Sequence, residues 1–113
     1  MNPRITFSAG ESVVTMWQST IDALEEPAYY RFLFNIEKLR FVVQKCSYTA
    51  EGAKKLRKAG VNGYRENSLP LIKSIYKACG WDRKYSYRVD GILSPDKQAV
   101  VFCLPDGVQI ISQ

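Results

Sequence analysis

An α+β fold is predicted by three features of the 113-residue sequence. Apolar residues recur at helical spacing through the first two thirds of the chain. They alternate at strand spacing in the last third. Clusters of Gly, Pro, Asn and Asp punctuate the joins. The expectation is about four helices packed on a small antiparallel sheet, with a C-terminal three-stranded meander, in a single domain over residues 1–113.

The elements follow in order. Ile5, Thr6 and Phe7 make a short first strand. Ser8 and Glu11 then match a capping box, in which Ser8 caps a helix and Glu11 reaches back to it. Val13, Val14, Trp17, Ile21 and Leu24 fall within an arc of about 100°, the pattern of an amphipathic helix. Pro27 stops that helix. Glu25 and Glu26 suit the N-terminus of the next one, where the helix dipole favours negative charge.

Residues 29–46 are predicted as one long helix. Tyr29, Phe32, Ile36, Leu39, Val43 and Cys46 share an arc of about 100°, and Arg31, Asn35, Glu37, Lys38, Arg40, Gln44 and Lys45 lie outside it. The strand propensity of Tyr29 to Phe34 and of Phe41 to Val43 makes a hairpin the second choice. Tyr30, Phe34 and Phe41 form a second flank, which implies burial on more than one side or a dimer surface.

Thr49 is placed to cap a third helix running to about Ala59, with Gly60 in the left-handed position after it and a turn through Gly63. Asn67 or Ser68 caps a fourth helix, with Pro70 in its first turn, Leu71, Ile72, Ile75 and Cys79 facing inward, and Gly80 ending it. Tyr85, Tyr87 and Val89 then alternate with Ser86, Arg88 and Asp90 as a strand. A turn at residues 94–97 leads to a strand from Ala99 to Leu104. A turn at 105–107 leads to the last strand, Val108 to Ile111.

Charge is distributed unevenly. The net value is +5 with a pI near 9.2. Residues 31–84 alone carry 13 bases and four acids, so the middle of the chain favours an acidic partner. Lys54, Lys55, Arg57 and Lys58 are its centre, with Lys45 and Arg65 as outliers of the same surface. Phosphate contacts by such a cluster would dominate affinity. A plainer reading is that cations in the last turn of a helix complement its dipole. Tyr64–Arg65, Tyr76–Lys77 and the stretch Trp81 to Tyr85 set aromatics beside bases, as single-strand binders do, although a strand face of tyrosines is more often core. The helix order followed by a hairpin matches a winged helix in outline alone. Lys73 and Lys77 would then be the outward cations of the fourth helix, and no family is assigned.

Several chemistries are excluded. Without histidine the chain supplies no Ser-His-Asp or Cys-His catalysis and no HExxH zinc site. Phosphate-loop, dinucleotide and nucleophile-elbow motifs are missing. Cys46, Cys79 and Cys103 are widely spaced, form no CxxC pair, and read as reduced, mostly buried small hydrophobes. No leader pattern is recognised at the start, and the longest apolar run, Ala99 to Leu104, is too short to span a bilayer. The expectation is therefore a cytoplasmic, non-enzymatic binding module with no cofactor, no metal and no membrane association. It would contact nucleic acid or an acidic protein surface through Lys45, Lys54, Lys55, Arg57, Lys58, Arg65, Lys73 and Lys77. The alternative is a protein-interaction or regulatory domain, a homodimer through Tyr30, Phe34 and Phe41.

Overall fold

A computed structural model of the chain describes residues 2–57 and 63–111. In chain order the strands and helices are β1 (Arg4–Ser8), β2 (Val13–Met16), α1 (Gln18–Ala23), β3 (Tyr29–Asn35), β4 (Arg40–Lys45), β5 (Lys54–Lys55), β6 (Tyr64–Asn67), α2 (Leu69–Cys79), β7 (Tyr85–Leu93), β8 (Ala99–Cys103) and β9 (Val108–Ile111), with a 3-10 turn at Leu104–Asp106. Neighbouring strands run in the order β5-β3-β4-β8-β7-β1-β2-β6, and β9 pairs with β7. All of these pairings are antiparallel.

The fold is thus mainly β, which corrects the α+β expectation of four helices on a small sheet. Two helices are described, and α2 is the longer at 11 residues. The sheet curls on itself. β3 and β6 stand towards opposite ends of the strand order, yet the Tyr30 hydroxyl donates to Glu66 Oε1 at 2.7 Å and Lys54 Nζ lies 3.7 Å from Glu66 Oε2. Side chains rather than a backbone ladder bridge the two ends of this half-barrel.

Its inner face holds the core. Ile5 and Phe7 from β1, Val14 and Met16 from β2, Phe41 and Val43 from β4, Tyr87 and Val89 from β7, and Val100 and Phe102 from β8 all point inward and are buried. α1 adds Ile21, and α2 adds Ile72, Ile75 and Tyr76. Burying each large apolar side chain contributes roughly 1.5–3 kcal/mol before the ordering cost. Edge-to-face contacts tie the layers together, with Phe7–Phe41 at 5.2 Å and Tyr76–Trp81 at 5.4 Å, and Trp81 stacks on Tyr87 at 4.2 Å.

β7 joins the two halves of the sheet. Its residues Ser86–Asp90 pair with β1, and Tyr85–Arg88 pair with β9 on the other side. Beyond them, Gly91–Leu93 pair with β8. Gly91 sits where the strand passes from one half to the other. A Cβ there would lie 2.6 Å from Phe102 Cε1 and 2.7 Å from Val100 Cγ1, so only glycine lets those core side chains approach the backbone.

Several sequence expectations need correction. The first amphipathic stretch divides into β2 and α1, because the Ser8–Glu11 pair closes a tight turn instead of a helix. Ser8 Oγ accepts from the Glu11 N–H at 3.4 Å, and Ser12 follows with φ 55°. Glu25 and Glu26 end α1 in left-handed conformation, with φ 60° and 48°, and do not begin a second helix. Residues 29–46 are the β3–β4 hairpin, the second choice of the sequence reading. Asn35 Oδ1 accepts from the N–H groups of Glu37 and Lys38, and Leu39 has φ 54°, which turns the chain where helix continuity was expected. The stretch expected as a third helix holds turns and β5, while its end at residues 58–59, with Gly60, lies outside the described residues. The fourth helix forms as expected at α2, with Ser68 at its N-cap and Gly80 closing it at φ 65°. The three C-terminal strands also form, but not as a meander. β9 returns to β7 and not to β8, because the 3-10 turn carries the chain along the same side of β7.

Candidate functional site

The outer face of β3, β4, β8 and β7 carries an unusual pattern. Side chains alternate faces along a strand, so residues opposite one another in register share a face. Leu33 is opposite Val42, Val42 is opposite Val101, and Val101 is opposite Ile92. These four apolar side chains make one row across four strands, on the face away from the core. At about 4.8 Å between strands the row is about 14 Å long. Leu33 is 40% exposed, Val101 36% and Ile92 77%. Water over such a row is unfavourable, and contiguous exposed apolar surface marks a contact site more often than scattered residues do.

Polar residues border the row on both sides. Arg31, Gln44 and Ala99 are in register on one side, where Arg31 Nε donates to Gln44 Oε1 at 2.7 Å. Asn35, Arg40 and Cys103 are in register on the other. Asp90, two residues from Ile92 on the same face, accepts from Arg4 Nε at 2.7 Å. At the hairpin end, Leu33, Asn35, Ile36, Glu37 and Val42 line a shallow groove of about 470 Å³. The rim is polar, with the Arg31 and Arg40 guanidiniums held by the Gln44 amide and by backbone carbonyls and left without a carboxylate partner, while the centre is apolar, which is the arrangement of a contact surface with an apolar middle.

The expected basic site is divided by the same strand geometry. Lys45, Tyr30 and Lys54 lie in one register row across β4, β3 and β5. Lys54 follows Tyr30 to the inner side, where it pairs with Glu66 and lies 5.9 Å from the Phe32 ring centre. Lys55 and Arg57 are exposed. Arg65, on β6, is ion-paired with Glu11. Lys73 and Lys77 are on the exposed side of α2, and Lys77 shares a depression with Ile36 at the far end of β3 from Lys54. Lys45, Lys54 and Lys55 therefore stand on neighbouring strands at one end of the sheet with Arg57 two residues beyond Lys55, Lys54 being turned inward to Glu66, while Arg65, Lys73 and Lys77 stand elsewhere. Lys58 lies outside the described residues.

The aromatic residues named for a dimer surface face mostly inward. Tyr30 and Phe41 are core side chains and Phe34 packs half-buried against the core, so they do not form an exposed flank. Burial and the Glu66 hydrogen bond push the Tyr30 phenol well above its ordinary pKa, which keeps it a neutral donor to the carboxylate. The three cysteines are free and half-buried, not mostly buried, and burial pushes the Cys79 thiol up to about 11. Among the described residues no group of three or more acids and cysteines is placed to hold a metal ion, and no helix is long and apolar enough to cross a membrane. The sequence reading missed the row of Leu33, Val42, Val101 and Ile92. Its signal was present as apolar residues on both faces of residues 29–46, read there as a helical arc.

Comparison with known proteins finds no matching family model, no matching curated protein and no matching solved structure at a significant level.

Proposed function

We propose that this chain is a protein-interaction module that receives a protein partner on the outer face of β3, β4, β8 and β7. The observation that carries the reading is the in-register row of Leu33, Val42, Val101 and Ile92, with Leu33, Val101 and Ile92 exposed and polar groups on both borders. Covering it removes apolar surface from water at about 25 cal/mol per Å². The rim guanidiniums of Arg31 and Arg40 favour a partner with carboxylates at the edge of its own apolar patch. Capture from a native lysate, with nuclease, by the wild-type chain and by an Ile92→Ser, Val101→Ser variant tests it. A protein held by the first and lost by the second is expected. Partners captured equally by both would overturn the reading.

A second reading, nucleic acid, is favoured by one observation. Lys45, Lys54 and Lys55 stand on neighbouring strands at one end of the sheet with Arg57 just beyond, and Lys55 and Arg57 are exposed. Three or four phosphate contacts would give a log–log salt slope of about −2.7 to −3.6 on duplex DNA. Fluorescence anisotropy at low salt, with single- and double-stranded oligonucleotides, tests this. Absence of binding there ends it.

A further inference from the structure

We infer that the Tyr48 end of the outer face binds single-stranded nucleic acid, with an unpaired base stacked on the Tyr48 ring and phosphates on Lys55, Arg57 and Arg31. The inference rests on the nucleic-acid reading above and deepens it, and it uses none of the apolar row.

The starting point is an exposed aromatic ring on a fixed turn. Tyr48 is 74% exposed, on the link between β4 and β5. The hydroxyls of Ser47 and Thr49, on either side of it, are hydrogen-bonded to each other at 2.8 Å, and the Ala50 N–H donates to Ser47 C=O at 3.1 Å. These bonds hold the turn without the Tyr48 side chain. Tyr29 stands beside that ring, at 6.2 Å between ring centres and a tilt of 51°. An exposure this high leaves a face of the Tyr48 ring open to a ligand, at a position where burial gives the fold nothing.

Strand geometry places cations around the two rings. Tyr30 points into the core, so its neighbours Tyr29 and Arg31 take the outer face. Lys55 is opposite Tyr29 in register. The Leu56 N–H donates to Ala28 C=O at 3.0 Å, so the chain runs on beside the start of β3, and Leu56 packs against the core. Lys55 and Arg57, on either side of Leu56, are thereby turned outward about 6.6 Å apart, and both are exposed. Arg31 is held in place. Its Nε donates to Gln44 Oε1 at 2.7 Å and its Nη1 to Glu51 C=O at 3.3 Å. Glu25, Glu26 and Glu51 lie in neighbouring segments, yet among the described residues no carboxylate is within ion-pairing distance of Arg31, Lys55 or Arg57.

Three uncompensated cations beside an open ring suit a polyanion whose units each carry a phosphate and a flat base. A duplex offers the phosphates but keeps its bases stacked inside, so the ring selects the single strand.

Fluorescence anisotropy of the full chain with a labelled oligothymidine of about 12 nucleotides, within the span such sites cover, tests this against the same strand in duplex. At low salt the single strand should bind more tightly than the duplex, with a log–log salt slope of about −2 for three phosphate contacts. Tyr48→Ala should weaken single-strand binding about 5- to 150-fold and leave duplex binding unchanged, whereas Tyr48→Phe, which keeps the ring, should stay within about twofold of the wild type. Lys55→Gln with Arg57→Gln should reduce the slope by about 1.4. Ile92→Ser with Val101→Ser should bind the strand as the wild type does. All of these positions are exposed, and circular dichroism should be unchanged throughout. Absence of binding at low salt overturns the inference together with the nucleic-acid reading. Binding that ignores Tyr48→Ala, or that favours the duplex, overturns the inference alone and leaves a charge contact. Loss of binding in the Ile92, Val101 variant also overturns it, because the strand would then lie on the apolar row.

Discussion

Replacing Tyr76 with phenylalanine removes one oxygen from the junction of three elements. Tyr76 is 2% exposed. Its hydroxyl accepts from the Ala9 N–H at 3.2 Å and reaches Tyr85 C=O at 2.7 Å and Phe7 C=O at 3.1 Å. One hydroxyl has one proton, so the shorter Tyr85 contact takes it. The variant keeps the ring and its packing on Trp81 and Tyr87. It loses two net hydrogen bonds at about 1 kcal/mol each, and it leaves a buried Ala9 N–H without an acceptor, which raises the total to about 2–3 kcal/mol. For a domain of this size that lowers Tm by roughly 8–12 °C. Urea unfolding should show a lower midpoint with unchanged m. The pH profile supplies a second readout. Burial pushes the Tyr76 phenol up from 10.0 to about 12. A raised phenol pKa favours the neutral form when folded, so stability is intact below pH 10 and falls as pH rises through about 12. Tyr76→Phe should flatten that alkaline limb, leaving the part that the raised Tyr30 phenol and Cys79 thiol contribute. A cost below about 0.5 kcal/mol would refute the reasoning and mean that water replaces the hydroxyl.

Three further outcomes follow from the same geometry. Gly91→Ala should cost about 1–3 kcal/mol in urea unfolding, because the new methyl meets Phe102 and Val100 inside van der Waals distance, and unchanged stability would show that β7 yields there. Cys79, as the sole cysteine, should react with a neutral thiol reagent at pH 7 about tenfold to a hundredfold more slowly than an unstructured cysteine, since its thiol is held up to about 11, and an equal rate would contradict the burial. The Ser94 hydroxyl, with help from the Gln98 N–H, holds the Asp96 carboxyl below its ordinary pKa. Stability from that turn is present above the usual carboxylate range and lost as pH falls through the depressed value, so the wild type's advantage over Ser94→Ala should shrink as pH falls in acid titrations monitored by fluorescence, and an advantage that does not change with pH would contradict it.

Legibility in the sequence depended on how many faces an element buries. α2 was readable because its inward residues and its caps, Ser68 and Gly80, point to the same element. β7 was readable because Tyr87 and Val89 turn inward between the polar Ser86, Arg88 and Asp90, and β8 because a short apolar run, Ala99–Cys103, stands between two turns. The β3–β4 hairpin was not, and the cause is the candidate site itself. Leu33 and Val42 put apolar residues on the outer face, which erases period-two alternation and leaves an accidental helical arc. The same error misplaced the cations. Helical spacing gathers Lys54, Lys55 and Arg57 on one surface, whereas a strand turns Lys54 inward to Glu66 and Lys55 outward. The pairing of Glu66 with Tyr30 joins residues 36 apart in sequence, and no local pattern announces it.

β7 has a further consequence for the order in which the chain assembles. Arg4 finds its ladder partner only at Asp90, and β8, the other neighbour of β4, pairs with β7 as well. During synthesis the β3–β4 hairpin emerges early, since its register needs only a local turn. It then waits, with Phe41 and Val43 uncovered on one side and Leu33 and Val42 on the other, until β7 and β8 leave the ribosome. Closing the ladder between residues so distant is slow. A nascent chain stalled before β7 should therefore engage holdase chaperones, and release should track the arrival of Gly91 and its neighbours.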